Sequence, residues 1–371
     1  MNEVLSEAIK DLNKRFGEQT VLRMSDAPPE LFEVQIRPSG VLQLDLALGA
    51  GGIPRGRTIE IYGPESSGKT TLALIMGAAF QAQDPECHIG FIDLEQTFDA
   101  RYAQRLGIDP TRTLVSQPAT GEEAIDVAYR LLLDGVDYII IDSVSALLPS
   151  AEAKSEMDQN FIGLQARLMS RALRVLTPAM NKNKAKRSNV VFINQIREKT
   201  GGYGNPEVTS GGRALGFYAS IRLCVRSGAK DDKLFRKVVD PFSGKTVDEE
   251  YGQRSRITVV KNKIGNPHGS CTFDLIFGIG PDKIRETLDI AVQLGIIHKA
   301  GGGNYSYTNN EGEDVKVRGE HNMLERLRTD QELYTEVRSK LEAKIHTGNI
   351  FVNSSAAEEL LEQTYEGYDI V

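Results

Sequence analysis

Apolar and polar positions recur along this chain with two different periods, and the changes of period mark out its parts. Residues 2–16 place Val4, Leu5, Ala8, Ile9, Leu12 and Phe16 on one face of a helix, which Gly17 stops. Ala27-Pro28-Pro29 then reads as a linker, so the helix packs either on its own domain or on a neighbouring subunit. From about residue 39 to residue 226, short apolar runs alternate with helical stretches, the pattern of an α/β core with a mostly parallel sheet. Three runs end in polar groups: Gly90 to Glu95, Asp137 to Asp142 and Val190 to Gln195. In such sheets ligands lie at the carboxyl ends of the strands.

Two polar segments interrupt the alternation, residues 154–163 and the glycine-rich residues 196–212, and both read as loops. A helix beginning near Leu164 lines up Arg167, Arg171 and Arg174 as one basic stripe. Around the second loop stand Arg197, Lys199 and Arg213, with Tyr203 among the glycines. Basic groups, an aromatic ring and exposed backbone amides together suit a nucleic-acid surface. The charged residues 228–255, with Pro241-Phe242-Ser243-Gly244, read as a hairpin or exposed insertion. A strand over residues 256–261 follows, and beyond Gly269 a smaller unit. It reads as a strand over residues 271–277, a helix over 284–297, a glycine turn holding Tyr305 and Tyr307, and one charged helix over about 322–345. No internal repeat is visible.

Composition narrows the class. With 371 residues the chain is too long for one ordinary core, and 40% hydrophobic with 26% charged residues is the balance of a soluble globular protein. No apolar run approaches the roughly 18 residues of a membrane helix, and the polar start lacks a secretory pattern, so no membrane partner and a cytoplasmic location are expected. Cys87, Cys224 and Cys271 lie far apart without CxxC spacing, against zinc and against a disulfide framework. The net charge of −7 gives no global attraction to nucleic acid, although a local basic stripe suffices for a site. Glu358, Glu359, Glu362, Glu366 and Asp369 form an acidic tail.

The strongest chemical signal is Gly63-Pro64-Glu65-Ser66-Ser67-Gly68-Lys69-Thr70, a phosphate-loop pattern between a β-rich run ending at Tyr62 and an apolar helical stretch from Thr71. Gly63 and Gly68 let the backbone turn its N–H groups toward phosphate oxygens. Lys69 reaches the β- and γ-phosphates of ATP, and the Thr70 hydroxyl ligates Mg²⁺. Asp142 fits the acid that holds the Mg²⁺ shell through water, and Glu95 fits a base that orients the attacking water.

Several blocks in order resemble the bacterial RecA recombinase family: residues 47–52, 63–71, 192–197, 204–207, 217–220 and 259–264. The resemblance spans roughly residues 5–345. It implies a RecA-type P-loop ATPase core (36–268), an N-terminal oligomerisation helix and linker (1–35), a small α+β C-terminal domain that gathers duplex DNA (269–346) and an acidic tail that restrains it (347–371). It also implies a helical filament on single-stranded DNA, ATP bound between subunits, and homologous pairing with strand exchange. Glu95 would be the catalytic base and Gln195 the γ-phosphate sensor. Residues 63–71, including Thr71, would line the ATP site with Asp142 and Ser143, and Tyr102 would stack on adenine near Asp99. Lys261, Lys263 and Phe217 would meet the neighbouring subunit. Ile162, Arg167, Ser170 and Arg174 from the first loop and its stripe would face DNA. Arg197, Lys199, Thr200, Tyr203, Gly211, Gly212 and Arg213 from the second would do the same. A LexA-type repressor is an implied partner.

The chain departs from the family pattern at Thr200 and Gly202, where apolar residues are common, at Arg213, where asparagine is usual, and at Gln96, where histidine is frequent. Base wedging is therefore expected to fall on Ile162, with Arg213 adding a phosphate contact. Two other classes compete, a hexameric RecA-fold motor such as a helicase and a specialised non-exchanging DNA-coating filament. The N-terminal helix and Gly-Asn-Pro-Glu at 204–207 speak against the motor, and intact Lys69 and Glu95 against the inert coat.

Overall fold

The computed structural model describes residues 3–17, 20–26, 34–154, 163–182, 186–198, 207–227, 232–240, 242–265 and 267–346. The chain divides into two units, residues 1–35 and residues 36–371. The first unit holds the helix Glu3–Phe16, which ends where Gly17, with φ 110°, donates its N–H to Asn13 O. The Asn13 side chain then pins the returning chain, bonding both the N–H and the carbonyl of Val21.

In the second unit an eleven-stranded sheet carries the fold. Its parallel part runs, in spatial order, Ile221–Arg226, Thr58–Gly63, Asn189–Glu198, Tyr138–Asp142, Ile89–Asp93 and Thr113–Ser116. Apart from the edge strand Thr113–Ser116, whose Leu114 and Val115 are exposed, these strands are buried on both sides, so they read as near-continuous apolar runs, and their side chains sort by alternation. Phe91, Ile140, Val191 and Ile193 join the core under the helix Lys69–Gln83. Ile92, Ile139, Ile141 and Phe192 join the opposite core, under the helices Gly121–Leu133 and Leu164–Met180. The Lys69–Gln83 helix is apolar nearly all round because it is almost wholly buried. By contrast, Gly121–Leu133 buries one stripe, Ala124, Ile125, Ala128 and Leu132, and is capped by the Thr120 hydroxyl, which accepts the Glu123 N–H.

Beyond Ile221–Arg226 the sheet continues antiparallel through Thr246–Asn262, Ser270–Ile276 and Gly280–Pro281. Residues 228–255 contribute a hairpin in which Lys233–Val239 pairs with the first half of Thr246–Asn262. The second glycine-rich segment is shorter than its sequence suggests. Its strand runs on to Glu198, and Glu207–Thr209 folds back beside it, pairing Ile196 with Thr209 and Arg197 with Val208.

The C-terminal part differs from the sequence reading in three places. The helix there is Lys283–Gln293, ended when Gly295 turns with φ 68°. Tyr305 and Tyr307 lie in a strand, Asn304–Thr308, at the centre of a three-stranded antiparallel sheet, and both rings point into the core. The single charged helix is two, Glu320–Thr329 and Gln331–His346, because the Asp330 carboxylate accepts the Leu333 N–H and starts a new helix. This part is joined to the rest by Leu42, which belongs to its core, and by Glu286, which accepts the Gln43 N–H at 3.0 Å.

Candidate functional site

Register brings the polar strand ends to one edge. Gly63 pairs with Gln195, and Asp93 with Asp142, so the Gly63 turn, Gln195, Asp142 and the turn after Asp93 stand side by side. The strand Thr58–Gly63 feeds directly into the Gly63–Lys69 turn and the Lys69–Gln83 helix. Gly63 has no room for a side chain, since a Cβ there would lie 2.0 Å from Val225 O. Gly68 caps the helix at φ 89°, where an L side chain is strained, and Ser66 also takes a positive φ of 56°. The first bond after the turn is Leu72 N–H to Gly68 O, so the amides before it point out of the helix N-terminus.

Within this cradle the Ser67 hydroxyl is buried without a hydrogen-bond partner, and Lys69 Nζ reaches back to Pro64 O at 2.5 Å. Burial holds the Lys69 ammonium below its usual range, against the pull of Asp142, Glu95 and the exposed Glu65. An orphaned buried hydroxyl, a buried cation and free amides at a helix N-terminus together fit a phosphate chain. Thr70 Oγ1 donates to Asp142 Oδ2 at 2.7 Å. Burial pushes the Asp142 carboxyl up to about 6; the Thr70 hydroxyl offsets part of this, while Glu95 and Asp93 add to it. No group of three or more His, Cys, Asp or Glu side chains able to hold a metal occurs among the described residues. The Thr70 hydroxyl and the Asp142 carboxylate, 2.7 Å apart, are hard oxygen donors and suit a hard cation such as Mg²⁺ that takes its other ligands from phosphate and water.

Glu95 is exposed just past its strand. Its Oε1 accepts from the Ser143 hydroxyl and, at 3.1 Å, from Gln195 Nε2. The Ser143 and Ser145 hydroxyl oxygens are 3.0 Å apart. Sequence reading missed the residue that shapes this turn. The strand ends at Asp93, not Glu95, and the buried Asp93 carboxylate accepts the N–H groups of Thr97 and Phe98 and the Gln117 side-chain amide. The available signal was an acid that closes an apolar run, as at Asp142. Asn194 was missed as well. Its amide bonds the buried Glu60 at 2.9 Å and Ser210 O at 3.1 Å, tying the strand before Gln195 to the far stem of the second loop.

Tyr102 lies beside the cradle, its hydroxyl 2.8 Å from Thr71 Oγ1. Asp99 caps the helix Ala100–Arg105 that carries it, accepting the N–H groups of Arg101 and Tyr102. Phe217, Lys261 and Lys263 form a separate group. Both lysines donate to Phe217 O, Lys261 also to Gly216 O at 2.7 Å, and Phe217 is 72% exposed. Among the described residues no hydrogen bond or ion pair links this group to Lys69 or Glu95. Arg167, Arg171 and Arg174 are exposed and make no ion pair among the described residues. Ser170 is folded into its helix, donating to Ala166 O at 2.8 Å.

Arg197 and Arg213 are exposed, and Gly211 and Gly212 pack at the base of the second loop. Ile162, Lys199, Thr200 and Tyr203 lie outside the described residues. An open groove of about 850 Å³ beside this base is lined by Arg213, Arg222 and Arg226. Two of these arginines are neutralised, Arg222 by Glu60 and Arg226 by Glu207.

A phosphate loop rising from a parallel strand, with strand-end acids and Gln195 beside it, places the molecule among the phosphate-loop α/β proteins. A family model described as the RecA N-terminal domain matches residues 3–282. Protein RecA of Thermus thermophilus is 45% identical over 341 residues, which are 91% of this chain and 93% of that relative. Protein RecA of Heliobacterium modesticaldum is 42% identical over 357 residues, 96% of each chain. The chain belongs to the RecA family.

Proposed function

We propose that this protein is a single-stranded-DNA-dependent ATPase that assembles as a helical filament on DNA and carries out homologous pairing and strand exchange. The observation that carries the reading is the bond from Gln195 to Glu95, which joins the strand leading into the second loop to the carboxylate best placed for hydrolysis.

In this reading residues 63–71 hold the triphosphate, with Lys69 against its β- and γ-oxygens and Tyr102 and Asp99 on the adenine side. Thr70 and, through water, Asp142 would hold Mg²⁺, which would supply charge neutralisation across the phosphates. Glu95 accepts a proton as water oxygen bonds the γ-phosphorus and the bond to the β-phosphate oxygen breaks, releasing ADP and phosphate. Ser143 and Gln195 orient that carboxylate, and Gln195 reports the γ-phosphate to the second loop. Phe217, Lys261 and Lys263 face the neighbouring subunit's nucleotide.

DNA contacts fall to Ile162, Arg167, Ser170 and Arg174, and to Arg197, Lys199, Thr200, Tyr203, Gly211, Gly212 and Arg213. The smaller C-terminal part gathers duplex DNA, the acidic tail restrains it, and the filament serves as a platform for self-cleavage of a LexA-type repressor in the cytoplasm.

The test is ATP hydrolysis with and without single-stranded DNA, followed by strand exchange between a circular single strand and a linear duplex. Stimulation by DNA and joint-molecule formation are expected. Hydrolysis indifferent to DNA would overturn the coupling, and stimulation without exchange would favour a DNA-coating filament.

A further inference from the structure

We propose that Gln165 is a positioning residue through which the first of the two loops sets the Glu95 carboxylate. The assignment rests on Glu95 being the hydrolytic base and on the loops facing DNA. Gln165 is the second residue of the helix Leu164–Met180, which starts directly after that loop. Gly163 before it takes φ 85°, and among the described residues no atom lies within 4 Å of where its Cβ would stand, so the backbone turn is what calls for a glycine.

The Gln165 side chain reaches the segment behind Glu95. Its Nε2 lies 2.9 Å from Val144 O and 3.4 Å from both Ser145 O and Leu147 O. An amide nitrogen carries only two hydrogens, so it cannot serve three carbonyls equally; the short bond to Val144 dominates. These carbonyls belong to the one-turn helix Val144–Ala146 and its cap. The residue before that turn is Ser143, whose hydroxyl holds Glu95, with the Ser145 hydroxyl beside it.

The same turn is gripped from the second loop. A Cβ on Gly211 would lie 2.7 Å from Val144 Cγ1 and 3.1 Å from Met169 Cγ, and one on Gly212 would lie 2.9 Å from Ala166 Cβ. The far end of the segment is fixed: Leu148 O accepts the Gly121 N–H, and Ser150 donates both its N–H and its hydroxyl to Glu122. With that end held, movement of Gln165 is delivered toward Ser143. None of these bonds touches the phosphate loop. Disturbing them therefore alters the turnover of bound nucleotide and not its binding.

The experiment compares the full-length parent with Gln165→Met, which keeps volume and loses the donor, and Gln165→Lys, which keeps an N–H. Hydrolysis is followed over a range of ATP concentrations with and without oligo-dT, and oligo-dT binding by fluorescence anisotropy. For Gln165→Met the DNA-stimulated kcat should fall about fivefold, as for one lost hydrogen bond. KM for ATP, the DNA-free rate and oligo-dT affinity should stay within about twofold, and Gln165→Lys should recover most of the stimulation. An unchanged stimulated kcat would overturn the proposal. So would an equal loss in the DNA-free rate, which marks a structural role, or a loss of oligo-dT affinity, which marks a DNA contact. A parent that DNA fails to stimulate would instead overturn the functional reading itself, and this proposal with it.

Discussion

Gln195 Nε2 donates to Glu95 Oε1 at 3.1 Å across the one intervening strand Tyr138–Asp142, so side chains from two strands that are not neighbours in the sheet share one bond. A hydrogen bond to a carboxylate is stronger than one between neutral groups, and losing it frees both side chains. Gln195→Glu would replace this attraction with repulsion between two carboxylates. The DNA-stimulated kcat should fall by about tenfold or more, measured as phosphate release on a single-stranded template. A rate equal to the parent's would remove Gln195 from the coupling.

Lys69 is the buried cation of the cradle and the counter-charge to Asp142. Lys69→Ala should abolish nucleotide binding, read by titration with a fluorescent ATP analogue, and with it nucleotide-driven filaments on DNA. Normal filaments with ordinary ATP dependence would refute the site.

Asp142 gives a pH signature. Burial raises its carboxyl from 3.8 to about 6, so between those values the folded chain binds more protons than the unfolded one. Its contribution to stability is therefore fully present below about pH 4 and declines as pH rises through about 6. Without nucleotide, Asp142→Asn should melt above the parent at about pH 7.5 and together with it near pH 4. Thermal unfolding across that range checks the sign; a variant less stable than the parent at neutral pH would contradict it.

Glu286 holds the C-terminal part to the rest of its unit, accepting from Gln43 N–H and pairing with Arg338 at 3.3 Å, both charges being largely buried. Glu286→Ala leaves Arg338 without this partner and should cost about 3–5 kcal/mol. Glu286→Gln, which can still accept the Gln43 N–H, should cost less. Urea denaturation of the two variants distinguishes them.

What was legible in the sequence was local. The phosphate loop could be read because its residues are consecutive, and Asp142 because an acid closes a run of buried isoleucines. The basic stripe of Arg167, Arg171 and Arg174 could be read from helical spacing alone. Contacts set by strand order could not be read. Nothing in the sequence places Ser143 and Gln195 on the same Glu95 oxygen, or Gly211 against Val144, until the sheet is assembled. Local chemistry also misled at Tyr305 and Tyr307, where neighbouring glycines masked a short strand, and at Asp330, a cap hidden inside a charged helical run.

The hairpin formed by Lys233–Val239 and Thr246–Asn262 has a practical consequence. Among the described residues, the Lys233–Val239 strand pairs only with its own hairpin partner, two rungs are closed by Arg236–Glu249 and Lys237–Asp248 ion pairs, and Lys233–Glu250 joins the strands diagonally. Near its turn, Phe242 is 98% exposed. A ribbon that closes its own bonds can be lengthened at the tip without disturbing the sheet. The turn between Val239 and Thr246 is thus a splice point for a fluorophore or an affinity peptide, a handle by which the molecule could be watched or tethered while its loops stay untouched.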